Sequence, residues 1–280
     1  MTDPRLTPAN ARVAAERLRG SVDAPTFAPG TPAMVNTPLV DLLREPGGAR
    51  DRQLCLGEGV LVYELHQGWA YVEAVRDGYV GYLPARDVGD MPARTHRVSA
   101  RATHLYAEPD FKTRERVTLS LGAMVAVTGQ ANDRFSATGS GLFVPTAHLT
   151  PVTEMAHDPV DVAEQLLGTP YLWGGNSSFG TDCSGLVQMA CLACGIACPG
   201  DADMQEDTLG TNLSEDAPLQ RGDLLFWDGH VAWMADASTL IHANAHHMAT
   251  AYEPLDAALV RIEAQGDGPV TSRKRLEHFA

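Results

Sequence analysis

One segment, DCSGLVQMACLACG at residues 182–195, limits the possible folds of this chain more than any other. Its spacing predicts a helix in which Leu186, Val187, Met189, Ala190, Leu192 and Ala193 leave almost no polar face. A helix that is apolar all round has to be buried at the centre of a domain. Asp182, Cys183 and Ser184 stand at its entrance, after the glycine-rich run GGNSSFGT, and Asp and Ser are cap-type residues. A helix N-terminus offers unpaired backbone N–H groups and the positive end of the dipole, which favour a thiolate. Cys183 is therefore the candidate nucleophile. Cys191, Cys194 and Cys198 lie deeper, on or near the apolar faces, and read as thiols that fill space. CLACGIAC has the C-x2-C spacing of a zinc site, but no second pair completes four ligands, so no metal is expected.

A nucleophilic Cys needs a base and a group that orients the base, usually far away in sequence. His230, in FWDGHVAWM, begins a β-like segment after an Asp-Gly turn, 47 residues beyond Cys183. His242, in TLIHANA, follows 12 residues later. If the turn ADAST joins the two segments as a hairpin, the imidazoles become neighbours. His242 can then orient His230 while His230 takes the thiol proton. His246 and His247 read as surface or outlying residues.

A chain of 280 residues has room for several small domains. Residues 1–35 read as a short helix over 4–19, with Thr7 as a possible cap, and a proline-rich extended connector over 21–38. Two β-like stretches follow, 36–92 and 93–152. CLGEGVLVYELHQGWAYVEAVRDGYVGYLPARDV and LGAMVAVTGQANDRFSATGSGLFVPTAHL share a rhythm of Leu-Gly, strand, turn, strand and a proline-led close, the mark of an internal duplication. Residues 153–280 form an α+β domain whose first helix starts near Asp158 or Asp161. Acidic residues outnumber basic ones by 35 to 21, for a net charge of −14, which argues against nucleic acid or an anionic membrane as partner. No apolar run reaches membrane-spanning length, and MTDPRLTPANARVAAERLRG lacks a signal-type apolar core. With five cysteines, an odd number suited to reduced thiols, the cytoplasm is the expected compartment.

TPYLWGGNSSFGTDCSGLVQ, RGDLLFWDGHVAWM and LIHANAHHM resemble, in that order, the three signature segments of the NlpC/P60 family of papain-like cysteine peptidases. With the β-like stretches in front, the whole chain is similar to the dipeptidyl-peptidase VI group of γ-D-glutamyl-L-diamino-acid endopeptidases. The resemblance implies a papain-like NlpC/P60 catalytic domain preceded by two small SH3-like β-barrels. It implies no cofactor, and as substrates murein peptides of the form L-Ala-γ-D-Glu-diamino acid with a free L-Ala amine, met in cell-wall peptide recycling. It leaves the oligomeric state open. By the same resemblance Cys183 is the nucleophile, His230 the general base and His242 its orienter. Tyr171 and the Cys183 backbone N–H form the oxyanion hole, Asp182 meets the substrate ammonium, Ser184 the D-Glu carboxylate, and Trp173 lines the cleft. Glu45, and Tyr82 or Tyr79, close over the free amine from the first barrel. The chain departs from the family pattern in PGDADMQ, where Gly200 and Ala202 replace the expected Arg and Ser, and at Ala232, where Gly is commoner. GDADMQED itself reads as an acidic solvated turn rather than a calcium loop. The same Cys-His-His machinery also fits an NlpC-type amidase, acyltransferase or peptidase on another γ-glutamyl or acyl substrate. A non-catalytic peptidoglycan-binding protein is the third reading, against which the intact Cys183, His230 and His242 argue.

Overall fold

Alternation of apolar and polar residues over 31–89 builds one seven-stranded sheet, in the order 50–55, 39–43, 80–84, 69–74, 59–66, 31–35 and 88–89. The computed structural model describes residues 3–90 and 93–276, and the chain divides into two units, Met1–Val152 and Thr153–Ala280. Residues 96–151 repeat the pairing of 31–89. The hairpin of 39–43 with 50–55 corresponds to that of 102–106 with 115–120, and the pairing of 39–43 with 80–84 to that of 102–106 with 143–145. Each copy closes on a proline, a single 3-10 turn and a short strand, Pro84 to Gly89 and Pro145 to Pro151. The copies differ in one strand: Gly59–His66 is continuous, whereas its counterpart is broken into Met124–Val125 and Val127–Gln130. The expected HQG turn lies between His66 and Trp69, with Gln67 and Gly68 both at positive φ.

The N-terminal segment differs from the helix expected over 4–19. Pro4–Leu6 and Glu16–Leu18 are single 3-10 turns, and Val13–Ala15 is a strand parallel to Thr26–Ala28. Thr7 ends the first turn rather than capping a helix. The cause is local: the Asn10 side-chain oxygen accepts from the backbone N–H groups of Arg12 and Val13, a turn that diverts the chain. Val13, Ala14 and Ala15 are then buried consecutively, beside Tyr63 and Tyr71, a pattern of no helical period. The expected connector likewise supplies strands at Thr26–Ala28 and Thr31–Val35.

In the second unit, helix α1 (Pro159–Glu164) is capped by Asp158, whose carboxylate accepts from the Val160 N–H at 2.7 Å. Helix α2 (Cys183–Ala193) is the central helix: Leu186, Val187, Gln188, Ala190 and Cys191 have no exposed surface. Its buried Gln188 accepts from Asn176 and donates to the Cys198 carbonyl, so this buried amide is satisfied on both sides. Helix α3 (Ala202–Thr208) takes the place of the expected acidic turn; Ala202 and Gln205 face inward and the acidic side chains outward. Strands β1 (Thr211–Asn212), β2 (Asp223–Trp227), β3 (His230–Met234), β4 (Thr239–Asn244), β5 (Ala249–Pro254) and β6 (Ser272–Arg275) form one sheet in the order β1-β6-β2-β3-β4-β5. Helix α2 packs against β3 and β4. Helix α4 (Leu255–Gln265) covers Leu225, Trp227, Ala232, Met234 and Leu240 with Ala258 and Ile262. Arg221 fastens α1 to the sheet, reaching Asp158, Asp161, Glu164 and the Ala235 carbonyl.

Gly185 marks where the glycine-rich loop presses on the first turn of α2. A Cβ there would collide with the Gly175 carbonyl oxygen and come within 2.9 Å of Asp182 Oδ1 and Thr181 Oγ1. In an open helix, Gly to Ala gains roughly 0.5–1 kcal/mol. Here Gly185→Ala should instead lower stability by about 1–3 kcal/mol, read as a fall in the thermal unfolding midpoint; an unchanged or raised midpoint would contradict the close approach.

Candidate active site

The helix entrance is held by one carboxylate. Asp182 Oδ1 accepts from the Gly185 N–H at 2.7 Å, and Oδ2 accepts from the Gly174 N–H at 2.8 Å. Ser184 Oγ donates to Asp182 Oδ1 at 3.2 Å. Asp182 therefore stitches the glycine-rich loop to the first turn of α2 and fixes where Cys183 stands. Gln205 braces the same turn from α3, its amide donating to the carbonyls of Ser184 and Pro199, both at 2.9 Å. Cys183 is 6% exposed, with Sγ 3.9 Å from the carbonyl oxygen of Gly229, the residue before His230. The Asp228-Gly229 turn joins β2 to β3 with Gly229 at φ 74°, so a tight reversal delivers His230 to that point.

Cys183 and His230 line one open cavity of about 480 Å³, together with Tyr171, Gly229, Asn244 and Arg261. Behind His230 runs a chain of hydrogen bonds. His230 Nε2 lies 2.9 Å from His242 Nδ1, and His242 Nε2 lies 2.9 Å from Glu253 Oε2. Arg261 grips Glu253 with both Nε and Nη2, at 2.8 and 2.7 Å. The β3–β4 register, Trp233↔Ile241 and Met234↔Leu240, sets His242 diagonally across from His230. The β4–β5 register, His242↔Ala251, sets Glu253 diagonally across from His242.

This chain has one direction. An ionised carboxylate only accepts, so His242 carries its proton on Nε2 and leaves Nδ1 as an acceptor. His230 must then donate from Nε2, which leaves Nδ1 with a free lone pair. Burial, reinforced by the neighbouring His242, pushes His230 down to about 3, so the ring is neutral at physiological pH. Burial also lowers His242, although Glu253 opposes the shift. Burial alone would raise Glu253; the hydrogen bonds from Arg261 and His242 win and hold its carboxyl well below the usual range. Burial pushes the Tyr171 phenol up, and Cys183 and Asp182 push it further, so it remains a proton donor. Trp227 lies beside His230, their ring centroids 5.6 Å apart.

Cys183, His230, His242, Tyr171, Asp182 and Ser184 are thus gathered around the entrance of α2 and the adjoining strands. Trp173 is 71% exposed on the loop before it. Cys191 and Cys198 are buried, and the Cys198 thiol together with burial pushes Cys191 well up. In the first unit, Tyr79 is buried at 1% exposure with its ring beneath the Arg52 guanidinium, an interior position. Tyr82 is half-buried, its hydroxyl accepting from the Asn10 amide, and Glu45 is exposed in the turn after 39–43. Sequence reasoning missed Glu253 and Arg261. The alternation of TLIHAN and ATAYEP would put His242 and Glu253 on facing positions, but only once the β4–β5 register is known.

The NlpC/P60 family matches residues 168–260, and the bacterial dipeptidyl-peptidase Sh3 domain matches residues 42–88. Dipeptidyl-peptidase 6 of Lysinibacillus sphaericus is 30% identical over 207 residues, 66% of this chain and 76% of that protein. The chain belongs to the NlpC/P60 family. It is a cysteine peptidase carrying an SH3-like domain ahead of the catalytic fold. A second relative, the gamma-D-glutamyl-L-lysine dipeptidyl-peptidase of Bacillus subtilis strain 168, is 30% identical over 62% of this chain and 63% of its own length. An NlpC/P60 family protein from Bacillus cereus ATCC 10987 shares the fold with a TM-score of 0.74 at 18% identity, over 89% of this chain and all of that one. No helix among the described residues is long and apolar enough to cross a membrane.

The depressed histidines make this unit sensitive to acid. In the unfolded chain both imidazoles titrate near 6.5, whereas the folded site holds His230 to about 3. Between those values the unfolded state binds protons that the native state refuses, so stability present above pH 6.5 is lost as pH falls. The drop in melting temperature between pH 7 and pH 5 should therefore shrink in His230→Asn, followed by tryptophan fluorescence. An equal drop in variant and wild type would contradict a buried neutral imidazole.

Proposed function

We propose that the chain hydrolyses the γ-D-glutamyl–diamino acid bond of murein peptides that begin with a free L-Ala amine. The observation that carries this reading is the one-way hydrogen-bond chain from Arg261 through Glu253 and His242 to His230, which ends with a bare Nδ1 in the cavity that holds Cys183. The names of the two relatives, a dipeptidyl-peptidase and a γ-D-glutamyl-L-lysine dipeptidyl-peptidase, support the bond and the substrate class.

In this reading Cys183 Sγ attacks the γ-carbonyl carbon while its proton passes to His230 Nδ1. The tetrahedral oxyanion accepts from the Cys183 backbone N–H at the helix N-terminus and from the Tyr171 hydroxyl, which burial keeps protonated. His230 then gives its proton to the departing amine of the diamino acid, leaving a thioester on Cys183. Water, deprotonated by His230, hydrolyses the thioester and releases L-Ala-γ-D-Glu. The imidazolium formed at each step is stabilised by His242 and Glu253, which keep their positions throughout. Asp182 supplies the opposite charge for the L-Ala ammonium and Ser184 a hydroxyl for the D-Glu carboxylate. A free-amine requirement fits peptides released from the wall during recycling in the cytoplasm better than intact sacculi.

Mass spectrometry of products from L-Ala-γ-D-Glu-L-Lys tests the reading. Wild type should release the dipeptide and lysine, Cys183→Ala should release neither, and N-acetylation of the substrate should block cleavage. Release of dipeptide by Cys183→Ala would overturn it. Glu253→Gln removes the obligate acceptor, since an amide can also donate to His242, and the direction of the chain is lost. Its kcat should fall by about 100-fold or more with a smaller change in KM; an equal rise in KM with kcat intact would assign Glu253 to binding instead.

A further inference from the structure

Tyr171 lies in the segment between α1 and α2, and two seams of backbone hydrogen bonds fix where it stands. On one side the Gly168 N–H donates to the Thr250 carbonyl and the Thr250 N–H to the Thr169 carbonyl, both at 2.9 Å, and Pro170 bridges to Ala249. This seam ends where the Tyr171 N–H donates to the Met248 carbonyl at 2.9 Å. On the other side the Leu172 N–H donates to the Thr181 carbonyl at 3.0 Å and the Thr181 N–H to the Pro170 carbonyl at 3.1 Å. Thr181 runs directly into Asp182 and Cys183, and Met248 into β5, which carries Glu253. Residues 168–172 therefore tie the chain that leads to Cys183 to the strand that begins the imidazole relay.

The bond at Met248 rests on an unusual backbone. Met248 is the last of the four residues between β4 and β5 and holds φ 51°, a region that residues other than glycine, asparagine and aspartate enter rarely. Its side chain is 59% exposed, so packing does not keep it there. The turn does. Asn244↔Ala249 is the last pair of the β4–β5 ladder, and Asn244 Oδ1 accepts from the His247 backbone N–H at 2.8 Å, so the chain has to reverse within those four residues. A disfavoured conformation persists only where its surroundings over-determine it, and such residues gather at functional sites. Moving Met248 out of the left-handed region changes the direction in which the chain enters Ala249, and with it the aim of the carbonyl that Tyr171 uses.

We propose that Met248 is a positioning residue for the oxyanion donor, its left-handed backbone aiming the carbonyl that anchors Tyr171 in the cavity it shares with Cys183. The inference rests on the role given to Tyr171 above. Met248→Val tests it, because a β-branched residue avoids positive φ more strongly and no packing is lost at an exposed position. Hydrogen exchange of the Tyr171 amide should quicken by about 10-fold or more in Met248→Val. Its kcat on L-Ala-γ-D-Glu-L-Lys should fall by about 10-fold with little change in KM, the result of a misplaced donor. Met248→Asn, a residue at ease at positive φ, should keep the amide protected and kcat within a few-fold of wild type. In a Tyr171→Phe background the valine substitution should cost less than about two-fold, since the hydroxyl it misplaces is already gone. Unaltered exchange at the Tyr171 amide, or an equal loss of kcat in both backgrounds, overturns the inference. Should the valine variant not fold, Met248→Ala against Met248→Asn carries the same comparison. A wild type that leaves the peptide uncut overturns the function reading instead, and the exchange rates still decide whether Met248 anchors Tyr171.

Discussion

The hydrogen bond from His242 to Glu253 is the constraint on which the rest of the site depends. A neutral imidazole can offer its lone pair from either nitrogen, and two imidazoles in series have no preferred direction of their own. Glu253 removes the ambiguity because an ionised carboxylate cannot donate, and Arg261 keeps it ionised in spite of burial. Three neighbouring strands therefore carry the polarity of the chain, from β5 through β4 to β3. His230 receives the result as a free Nδ1, and burial keeps it from being consumed by a solvent proton.

Cys183 is held by a different device, one made almost wholly of backbone. The loop before α2 approaches the helix so closely that residue 185 is a glycine, and Asp182 joins the two by accepting one N–H from each side. The carboxylate that the family resemblance assigns to the substrate ammonium is thus also the cap that orders Cys183. A substitution there would disturb position and charge together. Gln188 and Gln205 extend this bracing inward, each tying the helix to a neighbouring segment through buried carbonyls. The strong apolarity of α2 follows: the helix lies at the centre of the unit, and its remaining cysteines occupy its flanks and the segment after it.

Local chemistry made part of this legible in the sequence. An apolar helix with a capped cysteine at its entrance, an Asp-Gly turn before His230 and a second histidine one hairpin later are all short-range signals, and their geometry appears as those signals imply. The duplicated strand rhythm was also readable, because turn residues such as Gln67 and Gly68 punctuate it. What stayed hidden depends on register and on local competition. Glu253, and with it Arg261, acquires meaning only when β4 and β5 are paired residue by residue. Residues 4–19 looked helical because alanines fall at suitable intervals, yet one Asn10 side chain bonding to the backbone redirects the segment into a strand. GDADMQED is helical for the opposite reason, since the inward faces of Ala202 and Gln205 outweigh its acidic look.

Nitrogen-15 NMR of the histidine rings reads the direction of the imidazole chain directly. In Cys183→Ala protein, which separates the rings from the thiol proton, His230 and His242 should both be neutral at pH 6, each protonated on Nε2 with Nδ1 bare. A His230 ring protonated on Nδ1, or on both nitrogens, would contradict it.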